Sequence, residues 1–181
     1  NLEWGWNTVH SLGVNPVQMI NGITYIFESW SDGGAANHDF QVPAASGAIQ
    51  LMARFVPPTL VTFLTSPGNL SLSIDGRQNW TSYGFAWLPG STHRISAPAT
   101  QVDSQGHKFR YVSWSNGKPA SFDYVAGPAP GNERITAVYQ ALGQATVSSV
   151  PAGLQAEIDG NACTTPCAVE RDAGAIVTIS F

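Results

Sequence analysis

Hydrophobic positions alternate along this chain and do not recur at helical spacing. In residues 108–113, Phe109 and Tyr111 fall on one face of an extended backbone, and Lys108 and Arg110 fall on the other. That period of two belongs to a half-buried strand. The strand runs into Ser113-Trp114-Ser115-Asn116-Gly117, a polar turn closed by glycine. A similar passage stands eighty-four positions earlier, where Tyr25 and Phe27 alternate and lead into Ser29-Trp30-Ser31-Asp32-Gly33. Short apolar and β-branched runs at 60–65, 70–74, 85–88, 92–97, 108–115, 121–125 and 133–140 predict about seven strands between positions 58 and 140. Their turn signals come at the spacing expected of a β-sandwich. No apolar stripe of helical period, with caps, persists for three turns.

The match between the two passages extends over the whole chain. Trp4 aligns with Trp87, His10 with His93 and Gln18 with Gln101 at an offset of eighty-three. After Asn21 the offset becomes eighty-four and pairs Trp30 with Trp114, Asp39 with Asp123, Asp75-Gly76 with Asp159-Gly160, and Ile95 with Ile179. Self-similarity at one fixed period is the mark of a tandem array. Pro57-Pro58 and residues 141–144 read as linkers. On that frame residues 1–57 form the C-terminal part of one repeat, 58–140 a complete repeat, and 141–181 the N-terminal part of a third. A frame cut near Pro98 gives two circularly shifted units instead. The flanking pieces would expose strand edges and apolar faces such as Tyr25, Phe27, Val147 and Ile158. They are therefore expected to complete one another, within one chain or head to tail between chains.

Composition narrows the setting. Of 181 residues only 11% are charged, about half the usual share. A net charge of −4 argues against nucleic acid or an anionic membrane surface as partner. No apolar run approaches the length of a membrane span. The chain opens on Asn1 without Met, as a processed product or an excerpt would. Cys163 and Cys167 stand in Cys-Thr-Thr-Pro-Cys. Three intervening residues do not suit the usual redox pair, and no histidine lies near enough in sequence to complete a zinc site. A short disulfide clamping a turn is expected, and with it an oxidising, extracellular or cell-surface location.

Candidate chemistry is sparse. His10 and His93 recur with the repeat, which favours a structural role. No nucleophile elbow accompanies any Ser, His and Asp that could be assembled into a triad. Asp32, Asn37 and Asp39 offer too few carboxylates at irregular spacing for calcium, so Asp32 is expected to hold an Asx-turn after Trp30. No catalytic residue, metal or cofactor is expected. The best binding signal is the aromatic and amide stretch around Gln78, Asn79, Trp80 and Tyr83, whose flat rings suit sugar faces. Trp30, Trp114, Asp75, Gly76, Asp159 and Gly160 are read as markers of the repeat, with both tryptophans buried. Asn69-Leu70-Ser71 and Asn79-Trp80-Thr81 are glycosylation sequons, informative only for a eukaryotic source.

The run Phe-x-Ser-Trp-Ser-Asp-Gly-Gly ending at Gly34, with Thr136-Ala137-Val138-Tyr139 in the second copy, resembles the tandem β-sandwich repeats of large secreted bacterial proteins. Residues 147–160, followed by Thr164-Thr165-Pro166-Cys167, resemble the PEGA-type surface module. Asn116 and Lys118 depart from the pattern of the first copy, and Ser82 and Tyr83 from that of the third. The resemblance implies an accessory, surface-associated role without catalytic residues. The fold expected is all-β, in tandem immunoglobulin- or fibronectin-III-like β-sandwich repeats of about 84 residues. The function expected is a non-catalytic structural spacer, display or assembly module, whose partners are further copies or neighbouring domains. The alternatives are a carbohydrate-binding accessory module of a secreted hydrolase, with glycans as partners, and a subunit that builds fibres by strand exchange.

Overall fold

The computed structural model describes residues 3–44, 47–80 and 82–181, with the side chains of Asn79 and Trp80 outside that description. Among the described residues the chain is all-β, with no helix. Its strands are β1 (Val9–Gly13), β2 (Val17–Ile20), β3 (Ile23–Trp30), β4 (Asn37–Gln41), β5 (Ala53–Val56), β6 (Thr59–Ser66), β7 (Ser71–Ile74), β8 (Arg77–Trp80) and β9 (Tyr83–Trp87). They continue as β10 (Thr92–Ser96), β11 (Thr100–Val102), β12 (Lys108–Trp114), β13 (Ser121–Val125), β14 (Gly131–Val147), β15 (Gln155–Ile158), β16 (Asn161–Thr164), β17 (Cys167–Asp172) and β18 (Ile179–Ser180). The seven runs expected between 58 and 140 correspond to β6, β7, β9, β10, β12, β13 and β14. β8 and β11 are additional, because their polar residues carry little alternating signal.

The strands divide into two compact units. The first comprises Asn1–Val61, Gly84–Thr92 and Val125–Glu133. In it β1 pairs with β4, and β3 lies between β2 and β5. The outer edges of β1 and β5 take no strand partner among the described residues.

The second unit comprises Thr62–Tyr83, His93–Tyr124 and Arg134–Phe181. One of its sheets runs β13–β10–β7–β8, and another runs β11–β12–β14–β6, with β17 beside the C-terminal half of β14. The side chains between these layers are buried: Phe63, Leu72, Ile74, Ile95, Trp114, Phe122, Tyr124, Ile135 and Ala137. Phe63 from β6 meets the rings of Trp114 and Tyr124 edge-on at 6.3 and 6.0 Å, the preferred geometry for aromatic pairs. A third sheet, β16–β15–β18, packs around Val147, Ala156 and Ile158 with Cys163, Cys167, Val169 and Val177.

A bulge decides which way the repeated tryptophans point. Strict alternation from Phe109 and Tyr111 would turn Trp114 to the opposite face. The register shifts between Tyr111 and Ser113, so Phe109, Tyr111 and Trp114 lie opposite Ala141, Tyr139 and Ala137 on one face. The same shift falls between Phe27 and Ser29 and puts Trp30 on the face of Phe27. An inserted residue is the usual device for re-aiming a strand.

Strand ends show where the backbone differs between repeats. Pro57-Pro58 separates β5 from β6, since a prolyl nitrogen cannot donate to the ladder. The positions equivalent to that pair are Ala141 and Leu142, which have amide hydrogens. Residues 141–144 are consequently uninterrupted strand within β14, not the linker that their composition suggested.

Candidate functional site

The turns after the repeated strands share one hydrogen-bond scheme. The indole Nε1 of Trp30 donates to the carbonyl of Ala36 at 3.4 Å, and that of Trp114 to Ala120 at 3.3 Å. Ser31 N donates to the Met52 carbonyl at 2.9 Å and Ser115 N to Thr136 at 2.8 Å. In return, Met52 N and Thr136 N donate to the hydroxyls of Ser31 and Ser115, both at 3.0 Å. Asp32 accepts from Gly34 N in the expected Asx-turn, and Asn116 accepts from Lys118 N in its place in the second copy. The residue types of Ser-Trp-Ser-(Asp/Asn)-Gly are therefore occupied in holding a turn closed.

Asp75-Gly76 and Asp159-Gly160 are equally engaged. Both residues of each pair have positive φ, the requirement of the tightest hairpin turn. The pairs close β7 onto β8 and β15 onto β16. Each carboxylate also accepts from a backbone amide, Arg94 N to Asp75 at 2.8 Å and Thr178 N to Asp159 at 2.9 Å. The Thr178 amide, helped by Arg171, holds the Asp159 carboxyl below its ordinary value. For Asp75 burial pushes upward, but the bonds from His93 and Arg94 outweigh it and the carboxyl again sits low.

The equivalent histidines hold different partners. His93 Nδ1 meets Asp75 at 2.7 Å. His10 stacks on Trp4, with ring centroids 4.1 Å apart, and its Nε2 meets the Thr8 hydroxyl at 2.8 Å. His38 bridges Asp32 at 2.9 Å, while His107 binds Asp103 within one turn. Of the calcium candidates, Asp32 faces His38, and Asp39 accepts from the Ser11 hydroxyl at 2.6 Å. No group of three metal-ligating side chains occurs among the described residues.

The expected aromatic and amide platform is only partly described. Asn79 and Trp80 lie on β8, opposite Leu72 and Ser71, and their side chains are outside the described residues. Tyr83 is half exposed at the start of β9. Gln78 donates its amide to the Ser71 hydroxyl at 3.0 Å, and Gln101 accepts from the Ser71 amide at 2.8 Å. That network ties Gln78 to the strand beside it. Cys163 and Cys167 are disulfide-bonded as expected, with Cα atoms 6.2 Å apart, and the bridge joins β16 to β17.

A concavity lies elsewhere, in the first unit. A cleft of about 610 Å³ is lined by Trp4, Trp6, Leu12, Trp30, Phe40 and Leu51, with Val42 and the carboxylate of Glu3 also in its wall. It is an apolar seat with no nucleophile–base pair in its lining. Sequence reasoning missed it, because its lining residues read as core. Trp4, Leu12, Trp30, Phe40 and Leu51 align with Trp87, Ile95, Trp114, Tyr124 and Ile135, all of which are buried. Trp30, the best test of the burial expected for both repeated tryptophans, is only partly buried, whereas Trp114 is 2% exposed.

No protein-family model matches the chain, and no curated protein or solved structure matches it. Among the described residues no helix is long and apolar enough to cross a membrane.

Proposed function

We propose that this chain is a non-catalytic, extracellular repeat module of tandem immunoglobulin- or fibronectin-III-like β-sandwiches, and that it spaces or displays neighbouring parts of a surface or secreted assembly. The observation that carries this reading is the recurrence of the turn bonds at one offset: the indole, the hydroxyl, and the Asp32 carboxylate or Asn116 carboxamide are bonded to equivalent backbone partners in both copies. A residue repeated together with its structural bonds supports architecture better than chemistry, because active sites are usually single. The disulfide supports an oxidising location.

The test is a glycan array probed with the full chain, with hydrolase substrates assayed in parallel. The spacer reading expects neither binding nor turnover. Binding that disappears in Trp80→Ala or Trp6→Ala would replace it with the carbohydrate-binding reading, and turnover by the purified chain would replace both.

A further inference from the structure

The cleft at Trp30 has a filled counterpart within the same chain. In the second unit the equivalent tryptophan and aromatic, Trp114 and Tyr124, are plugged by Phe63 of β6, and Leu70 and Leu72 beside it are fully buried. Phe63, Leu70 and Leu72 align with Val147, Leu154 and Ala156. On that C-terminal segment Val147 and Ala156 are buried among Cys163, Cys167, Val169 and Val177, while Leu154 and, beyond the segment, Ile179 and Phe181 are exposed. Leu154 is 48% exposed where Leu70 is 0%, Ile179 is 46% exposed where Ile95 is 0%, and Phe181 is 81% exposed where Ala97 is 4%. One part of the chain thus holds a cleft that no equivalent of Phe63 fills among the described residues, and another carries the segment whose equivalent fills the counterpart.

The geometry points to head-to-tail self-association, in which residues 143–158 of one copy occupy the cleft of a second copy. The interface would reproduce one already present within the chain, so its layers and register follow by equivalence. In the second unit β7 pairs with β10 through Ile74 opposite Ile95 and Ser73 opposite Ser96. The corresponding pairing puts Ile158 of one copy opposite Leu12 of the next, and Glu157 opposite Gly13. The outer edge of β1 is open to receive it. β18 now holds that place on β15 through only two residue pairs, Glu157 with Ser180 and Ile158 with Ile179. The ladder of β7 with β10 also has two pairs, so β1 replaces β18 pair for pair and the gain is the apolar surface covered in the cleft. In the other layer, the segment of β14 from 143 to 147 meets the open edge of β5. Backbone pairing supplies affinity, and the cleft supplies specificity. The contact joins two different surfaces, so it does not close on itself and grows into chains.

This inference rests on the repeat reading above, since the equivalences define the register. Its failure is separable: a chain that stays monomeric and also ignores glycans leaves the spacer role standing alone. The experiment is sedimentation of the full chain over a hundredfold concentration range, with Leu154→Asp on the donor face and Leu12→Asp in the cleft. Leu51→Asp, from the opposite layer of the cleft, replaces Leu12→Asp if circular dichroism shows that variant unfolded. The wild type is expected to grow with concentration, and each variant alone to sediment as the 19.2 kDa monomer. Mixed, the two variants are expected to form a capped dimer of twice that mass, because each retains the face the other has lost. A wild-type chain that remains monomeric throughout, growth that survives either substitution, or a mixture that yields no dimer would overturn the proposal.

Discussion

At the scale of single residues, equivalent positions have been given different work by their neighbours. Trp114 is enclosed by Phe63, Phe122 and Tyr111, so Trp114→Ala is expected to cost about 3–5 kcal/mol in urea denaturation. Trp30→Ala is expected to cost distinctly less, because Trp30 already borders the cleft. Equal losses would contradict the difference in burial. Asp32 and His38 form a second example, since Asn116 and Phe122 replace them in the other copy. The bond to Asp32 holds His38 above its ordinary value of 6.5, and the same bond holds the Asp32 carboxyl below 3.8. A raised histidine stabilises the fold below its unfolded value and loses that contribution as pH rises through the folded value. A lowered carboxyl stabilises above its unfolded value and loses that contribution as pH falls through the folded one. The pair therefore contributes most between about pH 4 and 6.5. An NMR titration is expected to place His38 above 6.5 in the wild type and to bring it down in Asp32→Asn; an unmoved midpoint would break the link.

At the scale of elements, the strands were legible where residues alternate and obscure where they do not. Phe109, Tyr111 and the Asp-Gly turns could be placed from their pattern alone. The bulge before Trp114 could not, because the shift is recorded only in the partner strand. β8 and β11 were hidden for another reason: their side chains are mostly polar, and backbone pairing alone makes them strands. The cleft was obscured because its lining residues look like core in sequence, and only the comparison with Trp114 and Tyr124 reveals that they lack a filling. The disulfide was legible, and its energetic weight is small. Cys163 and Cys167 align with Asn79 and Tyr83, where β8 and β9 form without a bridge. Closing five residues removes about 2 kcal/mol of unfolded-chain entropy. The Cys163→Ser/Cys167→Ser double variant is accordingly expected to fold with a modest loss of thermal stability, while the native protein should show no thiol to a labelling reagent. Two labelled cysteines in the unreduced protein would refute the bridge.

At the scale of the whole molecule, β14 connects successive parts of the second unit without an intervening loop. Its first half pairs with β12 from Ala137 to Leu142, and its second half pairs with β17 from Leu142 to Val147. Leu142 is the crossover, with Lys108 opposite on one side and Asp172 on the other. Around this point Lys108 reaches Glu170 at 2.7 Å, and Arg110 clasps Asp172 with two nitrogens. A flexible connection would let the two parts swivel; a single strand of seventeen residues does not. Tension applied along it is carried as shear across both ladders at once, so neighbouring hydrogen bonds must slide together and cannot open one after another. Within the second unit, the parts on either side of Leu142 therefore share one unbroken backbone and cannot turn about a loop.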